Sequence, residues 1–328
     1  MPKFSIILPV YNIDDKYKRA VESVINQDFE DFELIIVDDA SPRKVEVSTF
    51  SDQRIRLITR KSNGGGPSLA RNTALSIARG EYIAFLDADD YYAKNFLSEM
   101  NKHIVCGIDY VTCSFFLKNK EVEEPYRGGI LSGVCEISDI NDFVVRNLRN
   151  ISASVWNSVY NAQIIKSLNL RFLDNREVFE EDLVFTFTYL AACKTCAFIS
   201  TPLYHYELND NSICANFRPN SAMELLRYMR CCNYLEEIFT NEVLAIFFFK
   251  SLDYCYRKGE IKLCEMFSIL GTDKGMVQVL KKISCSSGIA IKEYWNIKGD
   301  FSPLVADLVL SRRYDEASDV LQKTLFMK

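Results

Sequence analysis

Short apolar runs alternate with amphipathic helical patterns along the first hundred residues. The apolar runs have the length and composition of buried strands, and they are KFSIILPV, FELIIVDD, RIRLIT and EYIAFLDADD. After the first run, apolar residues recur at the spacing of one helix face, at Tyr17, Ala20, Val21, Val24 and Ile25. SLARNTALSIA predicts a second helix. Apolar strands joined by helical crossovers indicate an α/β fold with a mostly parallel central sheet flanked by helices.

The pattern changes twice further along the chain. From residue 101 to about 214, DYVTCSFFLK and AFISTPLYHYEL predict strands, whereas DINDFVVRNL and EEDLVFTFTYLAA predict helices. From Phe217 to Lys328 almost every segment has the apolar periodicity of a helix. We therefore predict one domain over residues 1–216 and a helical C-terminal region over residues 217–328.

Composition excludes several classes of protein. The chain has 328 residues, of which 48% are hydrophobic, and a formal net charge of -5. This charge offers no basic field to a nucleic acid, so we expect no nucleic acid partner. The eleven cysteines are an odd number and Cys231 adjoins Cys232, which favours a reducing compartment over a disulfide framework. No apolar run reaches the roughly 18 residues that span a bilayer, and the N-terminus lacks a signal-peptide pattern, so we expect a cytoplasmic protein.

Polar residues follow the predicted strands directly. They are Tyr11 and Asn12, Asp38 and Asp39, and Asp87 to Asp90. Ligands of parallel sheets bind beyond the carboxyl ends of the strands. The sequence therefore predicts that three strand ends converge on one polar crevice.

The aspartates at 87, 89 and 90 allow two interpretations. One of them could cap the helix predicted over YYAKNFLSEM, because aspartate accepts backbone N–H groups at a helix start. Three carboxylates within four positions also repel one another, and hard oxygen ligands suit magnesium or manganese. Because one aspartate is enough for a cap, the cluster favours a metal site whose remaining ligands come from substrate phosphates.

A second acidic group, EED at residues 180–182, begins a predicted helix. These carboxylates could simply compensate the helix dipole. At 100° per residue, however, Phe179, Leu183 and Phe187 form an apolar stripe. Asp182 then borders this stripe and Glu181 turns toward solvent, so Asp182 is the better candidate for a residue that reaches a cleft.

The glycine-rich segment GGGPSLARN matches neither common nucleotide fingerprint. It lacks the Lys-Ser/Thr pair of a phosphate-binding P-loop, and Leu69 stands where a dinucleotide-binding motif has its third glycine. The broken motif disfavours a nucleotide-dependent dehydrogenase.

Six segments occur in a specific order along the chain. They are FSIILPVYN, DFELIIVDDASP, NGGGPSLARNTALSIARGEYIAFLDADD, WNSVY, FEEDLVFTFTYL and PLYHYELNDNSI. Together they resemble family 2 glycosyltransferases of bacterial surface polysaccharide or lipooligosaccharide synthesis, over about residues 3 to 215. The resemblance implies a GT-A fold and inverting sugar transfer. It also implies a nucleotide-binding half at residues 1–100 and an acceptor half at residues 101–216, with the helical region outside the match.

The resemblance assigns the nucleotide base to the first two strand ends. The family's base-binding elements fall on Pro9, Val10, Tyr11 and Asp39. The Tyr11 ring would stack on a uracil, and the Asp39 carboxylate would accept its imide N–H. The alternative for Asp39 is that it merely opens a turn.

The resemblance assigns the diphosphate and the metal to the next two segments. It places Arg71 near the diphosphate as a brace for the acidic motif, although an exposed helix-surface charge is the alternative. Within the motif Asp87-Ala88-Asp89, Asp87 would meet the ribose hydroxyls and Asp89 would hold Mn²⁺ or Mg²⁺, with Ala88 between them in the donor site. Asp90 would cap the following helix.

The acceptor side is assigned with more alternatives. The family's Glu-Asp motif aligns with Glu181 and Asp182, which makes Asp182 the general base and Glu181 the second choice and an acceptor contact. Trp156 and Asn157 could stack on and hydrogen-bond a sugar ring, but Trp156 could equally be core. The chain departs from the family pattern near His205, which we expect to be a core histidine.

The sequence thus predicts a metal-dependent, inverting glycosyltransferase that moves a hexose from a UDP-sugar to a glycan or lipid-linked acceptor at the cytoplasmic face of the membrane. The alternative is a catalytically silent nucleotide-sugar-binding or scaffold protein. For residues 217–328 we favour a packed core, and the other hypotheses are peripheral membrane association and a homo-oligomer.

Overall fold

The computed structural model describes residues 1–12, 15–119, 122–126, 132–147, 151, 154–209, 212–286 and 302–323. The chain divides into two compact units. The first unit comprises Met1–Ser138, Asn147–Asn175 and Glu181–Ser212. The second comprises Asp139–Arg146, Arg176–Glu180 and Ile213–Lys328.

The first unit is built on one large sheet. Within the described residues the sheet has ten strands: β1 (Phe4–Val10), β2 (Phe32–Asp38), β3 (Ile55–Thr59), β4 (Tyr82–Phe85), β5 (Tyr91–Tyr92), β6 (Tyr110–Asn119), β7 (Val122–Pro125), β8 (Gly133–Glu136), β9 (Ser158–Asn161) and β10 (Thr195–Glu207). Their order is β3-β2-β1-β4-β9-β6-β10-β5, with β7 paired to β6 and β8 paired to β10.

The strand directions gather most carboxyl ends at one edge of the sheet. β1 is parallel to both β2 and β4, and β2 is parallel to β3. β9 is antiparallel to both β4 and β6, so β4 and β6 run in the same direction, and β10 is parallel to β6. Six strands therefore end at the same edge, which places the residues after β1, β2 and β4 together as the sequence predicts.

The helices of the described residues alternate with these strands and then continue alone. In chain order they are α1 (Lys16–Ile25), α2 (Pro67–Leu75), α3 (Phe96–Ile104), α4 (Ile140–Asn147), α5 (Ala162–Ser167), α6 (Glu181–Leu190), α7 (Ile213–Asn216), α8 (Ala222–Met229), α9 (Cys231–Leu235), α10 (Asn241–Lys258), α11 (Leu263–Leu270), α12 (Lys274–Ser284), α13 (Ser302–Leu310) and α14 (Tyr314–Leu321). The predicted α/β fold and the helical character of the C-terminal region are confirmed.

The predicted core of the first unit is also confirmed. Every residue of β1, β2 and β4 is buried, as their mainly apolar sequences predict. On α1 the predicted apolar face turns inward, with Tyr17, Ala20, Val21 and Val24 buried. Burial of these two surfaces against each other removes apolar area from water, which is the main favourable term in folding.

One local prediction is wrong, and one strand was not predicted. Tyr91 and Tyr92, expected to begin a helix, form β5 and pair with β10 at His205 and Tyr204. Helix α3 begins only at Phe96. The WNSVY segment, for which no strand was predicted, contains the start of β9. Both strands are only two and four residues long, and cross-strand pairing rather than local pattern defines them.

In the second unit, the apolar run VLAIFFF lies in α10 and is buried at every position from 243 to 249. This run is therefore part of a helical core, which confirms the packed-core interpretation for the segment. The ten cysteines whose side chains are described are free thiols. No helix in the described ranges combines the length and the apolar character that a membrane span needs.

Candidate active site

The ends of β1 and β2 bring Tyr11 and Asp39 together. The Asp39 N–H donates a hydrogen bond of 2.8 Å to the Val10 carbonyl oxygen, so the two candidate base-binding residues leave adjacent strands side by side. Pro9 and Val10 are buried within β1, whereas Tyr11 is 49% exposed. Such an exposed ring beside a strand end is suited to stacking on a planar ligand.

The backbone beyond both residues enters the left-handed region. Asn12 follows Tyr11 with φ of 44°, and Ala40 follows Asp39 with φ of 61°. Asparagine tolerates this region, whereas for an alanine it costs about 1 to 2 kcal/mol. Strain of this kind is concentrated at functional sites.

The Asp39 carboxylate is held by three donors that the sequence did not reveal. It accepts hydrogen bonds from the Gly64 N–H at 2.8 Å and from Asn63 Nδ2 at 3.0 Å, and it forms an ion pair with Arg60. These bonds fix the orientation of the carboxylate, which is more than a turn-opening residue requires. Arg60 directly follows β3, so the strand-end rule that singled out Asp39 could also have found this arginine.

Asp90 is not a helix cap, contrary to expectation. The N-cap residue of α3 is Asn95, five positions further on. Asp90 is instead buried and accepts hydrogen bonds from the Tyr204 hydroxyl at 2.7 Å and from the Glu207 N–H at 2.8 Å. Burial, helped by the nearby charges of the other aspartates, raises its pKa well above the usual range. Asp90 therefore joins the acidic segment to β10.

A bound cation would stabilise the ionised form of the Asp89 carboxylate. Burial and the nearby charge of Asp87 raise its pKa above the usual value, although a hydrogen bond from its own backbone N–H, a hydrogen bond from Asn209 and the charge of Lys16 act in the opposite direction. A hard divalent ion would relieve this repulsion, and the oxygen donors present suit Mn²⁺ or Mg²⁺. Among the described residues no three His, Cys, Asp or Glu side chains are grouped as a metal site. Magnesium is commonly held by one or two carboxylates plus substrate phosphates, so the residues present fit such an ion.

Arg71 is the centre of the site. Its guanidinium donates one hydrogen bond to Asp87 at 2.8 Å and another to Asp182 at 2.6 Å, and it lies 3.5 Å from a Glu181 oxygen. The residue is only 2% exposed, which rules out the surface-charge alternative. Burial opposes its charge, yet the three carboxylates raise the pKa of Arg71 further above its usual value. One buried cation thus connects the acidic segment after β4 to the start of α6.

Glu181 does not turn toward solvent, and that prediction is wrong. The residue is 6% exposed and lies beside Arg71, while Asp182 retains more exposure in its side chain. The attraction of Arg71 and a hydrogen bond from Asn175 offset part of the cost of burial. Burial, followed by the charge of Asp182, nevertheless raises the pKa of Glu181 above its usual value. The helical projection failed because Glu181 is the first residue of α6, where tertiary contacts decide the direction of the side chain.

Asn175 connects the starts of α2 and α6. Its Oδ1 accepts a hydrogen bond of 2.9 Å from the Ser68 N–H, which satisfies one of the free N–H groups at the start of α2. A Cβ atom on Gly66 would lie 2.4 Å from this oxygen, so only glycine permits the approach. Ser68 and Asn175 are 107 positions apart, and no local pattern could have predicted the bond.

The predicted acceptor residues Trp156 and Asn157 lie inside the first unit. Asn157 is completely buried and its Nδ2 donates a hydrogen bond of 2.6 Å to the Cys113 carbonyl oxygen, which favours a core role over the expected acceptor contact. Trp156 is buried against Tyr204 and Tyr206, which favours its core alternative.

His205 is neither a core residue nor an isolated one. Its ring stacks between Tyr91 at 4.2 Å and Phe116 at 4.9 Å, and its Nδ1 lies 2.7 Å from a Glu123 oxygen. The side chain keeps part of its surface exposed. The expectation of a core histidine is thus wrong in detail, because the stack lies near the carboxyl ends of β6 and β10, where the His205 side chain is partly exposed.

The chain is similar in sequence and in structure to known proteins. A family model described as "Glycosyl transferase family 2" matches residues 5–168. EpsH of Bacillus subtilis (strain 168), which is named as a glycosyltransferase, is 27% identical over 222 residues, or 66% of this chain and 64% of EpsH. The chain thus spans slightly less than two thirds of the length of this relative. WfgD of Escherichia coli, named UDP-Glc:alpha-D-GlcNAc-diphosphoundecaprenol beta-1,3-glucosyltransferase, is 42% identical over 93 residues, or 28% of this chain and 36% of WfgD.

The structural comparison bears on the fold. The crystal structure of S. aureus TarS 1-349 in complex with UDP has a TM-score of 0.73 and 18% sequence identity, and the match covers 97% of this chain and 90% of that chain. The central sheet flanked by helices and the helical C-terminal region correspond in the two structures, which confirms the expected GT-A fold.

Proposed function

The chain belongs to glycosyl transferase family 2, and on this premise we propose that it transfers a hexose from a UDP-sugar to a glycan or lipid-linked acceptor in the synthesis of a bacterial surface polysaccharide. The transfer inverts the anomeric configuration and depends on Mn²⁺ or Mg²⁺. The expected place of action is the cytoplasmic face of the membrane.

The observation that carries this proposal is the double contact of Arg71. A fully buried guanidinium is costly unless several groups compensate it, and here it bonds Asp87 at the donor side and Asp182 at the start of α6. The contact holds a strand-end carboxylate and a partly exposed helix-start carboxylate at a fixed spacing. A transferase needs this arrangement, because its donor-binding group and its base must meet at one reacting carbon.

The donor is held by the residues at the strand ends. The Tyr11 ring stacks on the uracil, and the fixed Asp39 carboxylate accepts its imide N–H. Asp87 accepts from the ribose hydroxyls. Asp89 would hold the divalent ion, which would supply positive charge to neutralise the diphosphate leaving group.

The acceptor is activated by Asp182. Its carboxylate takes the proton of the acceptor hydroxyl while that oxygen attacks the anomeric carbon. The bond between the anomeric carbon and the diphosphate oxygen breaks in the same displacement, and UDP departs with the electron pair. Arg71 fixes one oxygen of Asp182 so that the carboxylate is oriented before the acceptor arrives. A single displacement inverts the configuration.

The comparisons support the choice of substrates. WfgD is named for a UDP-glucose donor and a diphosphoundecaprenol-linked acceptor, and the TarS structure contains UDP. These properties belong to those proteins, and we extend to this chain only the class of donor and acceptor. A catalytically silent binding protein would make the same donor contacts. The two hypotheses differ only in whether Asp182 acts as a base.

A nucleotide-release assay tests the proposal. The full chain is incubated with UDP-glucose, UDP-galactose and their N-acetyl forms, with manganese or with chelator, and with a panel of lipid-linked saccharides. We expect UDP release with at least one donor that rises with acceptor and falls with chelator. UDP binding without acceptor-dependent release under any condition would contradict the transferase and support the silent binding protein.

A further inference from the structure

Five aromatic rings at the carboxyl edge of the sheet form a continuous series of contacts. The Trp156 ring stacks on Tyr204 at 4.3 Å and on Tyr206 at 5.4 Å, and Phe115 meets Trp156 edge-on at 4.9 Å. Tyr126 stacks on Phe115 at 4.5 Å with an interplanar angle of 13°. We call these five residues the aromatic row. All five belong to the first unit.

The inner end of the row touches the acidic segment. The Tyr204 hydroxyl donates 2.7 Å to Asp90, and the Asp87 N–H donates 3.3 Å to the same hydroxyl. Tyr204 is completely buried, so this end of the row is structural. The row therefore begins at the residues proposed to hold the donor.

The outer end of the row reaches the surface at Tyr126. This residue is 43% exposed although it is aromatic and stacked. Its N–H donates 2.8 Å to the Phe115 carbonyl oxygen, so both its backbone and its ring are held against Phe115. An aromatic ring that is exposed but already ordered can bind a ligand with little further loss of side-chain entropy.

The charges around Tyr126 restrict the class of ligand. In the preceding strand β7, Glu124 is exposed and stands two residues before Tyr126, on the same face of the strand, whereas Glu123 lies on the other face beside Tyr91 and His205. The Glu124 carboxylate repels phosphates and nucleic acids but can accept hydrogen bonds from hydroxyl groups. A sugar ring has an apolar face of C–H groups and a rim of hydroxyls, and it matches an aromatic face bordered by a carboxylate.

We propose that Tyr126, at the exposed outer end of the aromatic row, binds the saccharide portion of the acceptor. The inference rests on the proposed function, because it gives that transferase the position of its acceptor. Trp156 then supports the platform from within, and Tyr126 provides the contact.

Saccharide binding can be measured on the full chain without any donor. We use tryptophan fluorescence, since Trp156 lies in the row, and titrate cellobiose, lactose and N,N′-diacetylchitobiose into the wild type, Tyr126→Ala, Tyr126→Phe and Tyr234→Ala. Tyr234 is the matched control, because it is also 43% exposed but lies in α9. We expect Tyr126→Ala to raise the Kd for the bound saccharide roughly 3- to 10-fold, the effect of losing one aromatic stack. Tyr126→Phe and Tyr234→Ala should match the wild type.

Calorimetric titration of UDP and the transfer reaction complete the test. UDP affinity should be equal in all four proteins, and in transfer Tyr126→Ala should raise the KM for the acceptor with little change in kcat. An unchanged saccharide Kd in Tyr126→Ala, an equal loss in Tyr234→Ala, or a wild type that binds none of the three saccharides at millimolar concentration would overturn the inference. A wild type that binds saccharide through Tyr126 but transfers none would contradict the proposed function and leave the saccharide site established.

Discussion

Arg71 and Asp182 are 111 positions apart in the chain, yet the guanidinium donates a hydrogen bond of 2.6 Å to the carboxylate. The second nitrogen of the same guanidinium bonds Asp87 at 2.8 Å. Arginine presents a rigid planar fork of donors that serves two carboxylates at fixed positions, whereas a lysine presents one ammonium group on a flexible stem. The geometry of the candidate site therefore depends on one side chain that belongs to neither acidic motif.

Replacement of Arg71 by methionine should destabilise the fold strongly. The change leaves Asp87, Glu181 and Asp182 without their common cation in a buried setting, and breaking a buried ion pair in this way costs about 3 to 5 kcal/mol. Urea denaturation measures the free energy of unfolding. The control is Arg146→Met, which removes an exposed pair with Asp142 and should change stability little.

Arg71→Lys separates charge from geometry. It keeps a positive charge and should recover part of the stability, while transfer stays low because an ammonium cannot bridge Asp87 and Asp182 in the same way. Transfer by Arg71→Lys at the wild-type rate would contradict the bridging role, whatever its stability.

Glu181→Gln should change how stability depends on pH. The pKa of Glu181 is raised in the folded protein, so the folded state binds this proton more tightly than the unfolded state does. The contribution of this proton to the free energy of unfolding is fully present below the ordinary pKa of about 4.3, and it is lost as pH rises through the raised pKa. A glutamine remains neutral, so the variant should gain stability relative to the wild type as pH increases, by more than about 1 kcal/mol at the alkaline end.

The measurement is urea denaturation from pH 4 to 9, and Glu22→Gln, an exposed position on α1, is the control. A Glu181→Gln curve parallel to that of the wild type would mean that burial and Asp182 do not raise the pKa of this carboxyl. The result would then favour an ionised Glu181 paired with Arg71.

Asp39→Ala should weaken UDP binding by about 1 to 3 kcal/mol, the cost of losing a charge-assisted hydrogen bond. Because Asp39 also holds Asn63 and Gly64, part of the loss could come from that loop. Asn63→Ala removes one of the donors but keeps the carboxylate, so it should lose less affinity than Asp39→Ala. The measurement is calorimetry with UDP, CDP and GDP. A wild type that binds all three with equal affinity would contradict the assignment of Asp39 as the uracil contact.

The fold was largely predictable because its signals are local. β1, β2 and β4 are buried at every position, and their mainly apolar sequences predict this directly. The convergence of Tyr11, Asp39 and the acidic segment followed from the general rule for strand ends in parallel sheets. What local pattern could not provide was β5, whose two residues depend on pairing with β10.

The site was predicted in its members but not in its connections. Arg71, Asp87 and Asp182 were all identified. The hydrogen bonds between them, however, span 16 and 111 positions and produce no periodic pattern in the sequence. Glu181 was misplaced because projection onto a helix ignores the buried arginine beside it. Asn175 was not predicted, because its two contacts lie at the starts of α2 and α6 and depend on the tertiary fold.

Asp89→Ala and Asp90→Ala should fail in different ways. Loss of Asp89 should erase most of the increase in UDP affinity that manganese or magnesium produces, with little effect on stability. Loss of Asp90 leaves the Tyr204 hydroxyl and the Glu207 N–H without their acceptor in a buried place, and each unpaired donor costs about 1 to 3 kcal/mol. UDP titration with metal or chelator, together with urea denaturation, distinguishes the two. Equal loss of metal dependence in both variants would show that their roles are divided wrongly.

Asp182→Asn separates chemistry from binding. The carboxylate lies at the start of α6, apart from the strand ends that hold the nucleotide, so UDP and metal affinity should stay near wild type. Asparagine keeps the size of the side chain and an oxygen for Arg71, but it cannot take a proton from the acceptor hydroxyl. The transfer rate should therefore fall by about 10² to 10⁴, the range expected when a general base is removed.

The decisive measurement is donor turnover with a competent acceptor, paired with UDP titration of the same protein. Glu181→Gln is the matched comparison, because it is the adjacent carboxylate on Arg71 and its raised pKa makes the neutral glutamine a close substitute. We expect this variant to keep most of its turnover. If Asp182→Asn instead transfers at the wild-type rate while Glu181→Gln loses activity, the base is Glu181, and the burial of that side chain beside Arg71 would then have to open when the acceptor binds.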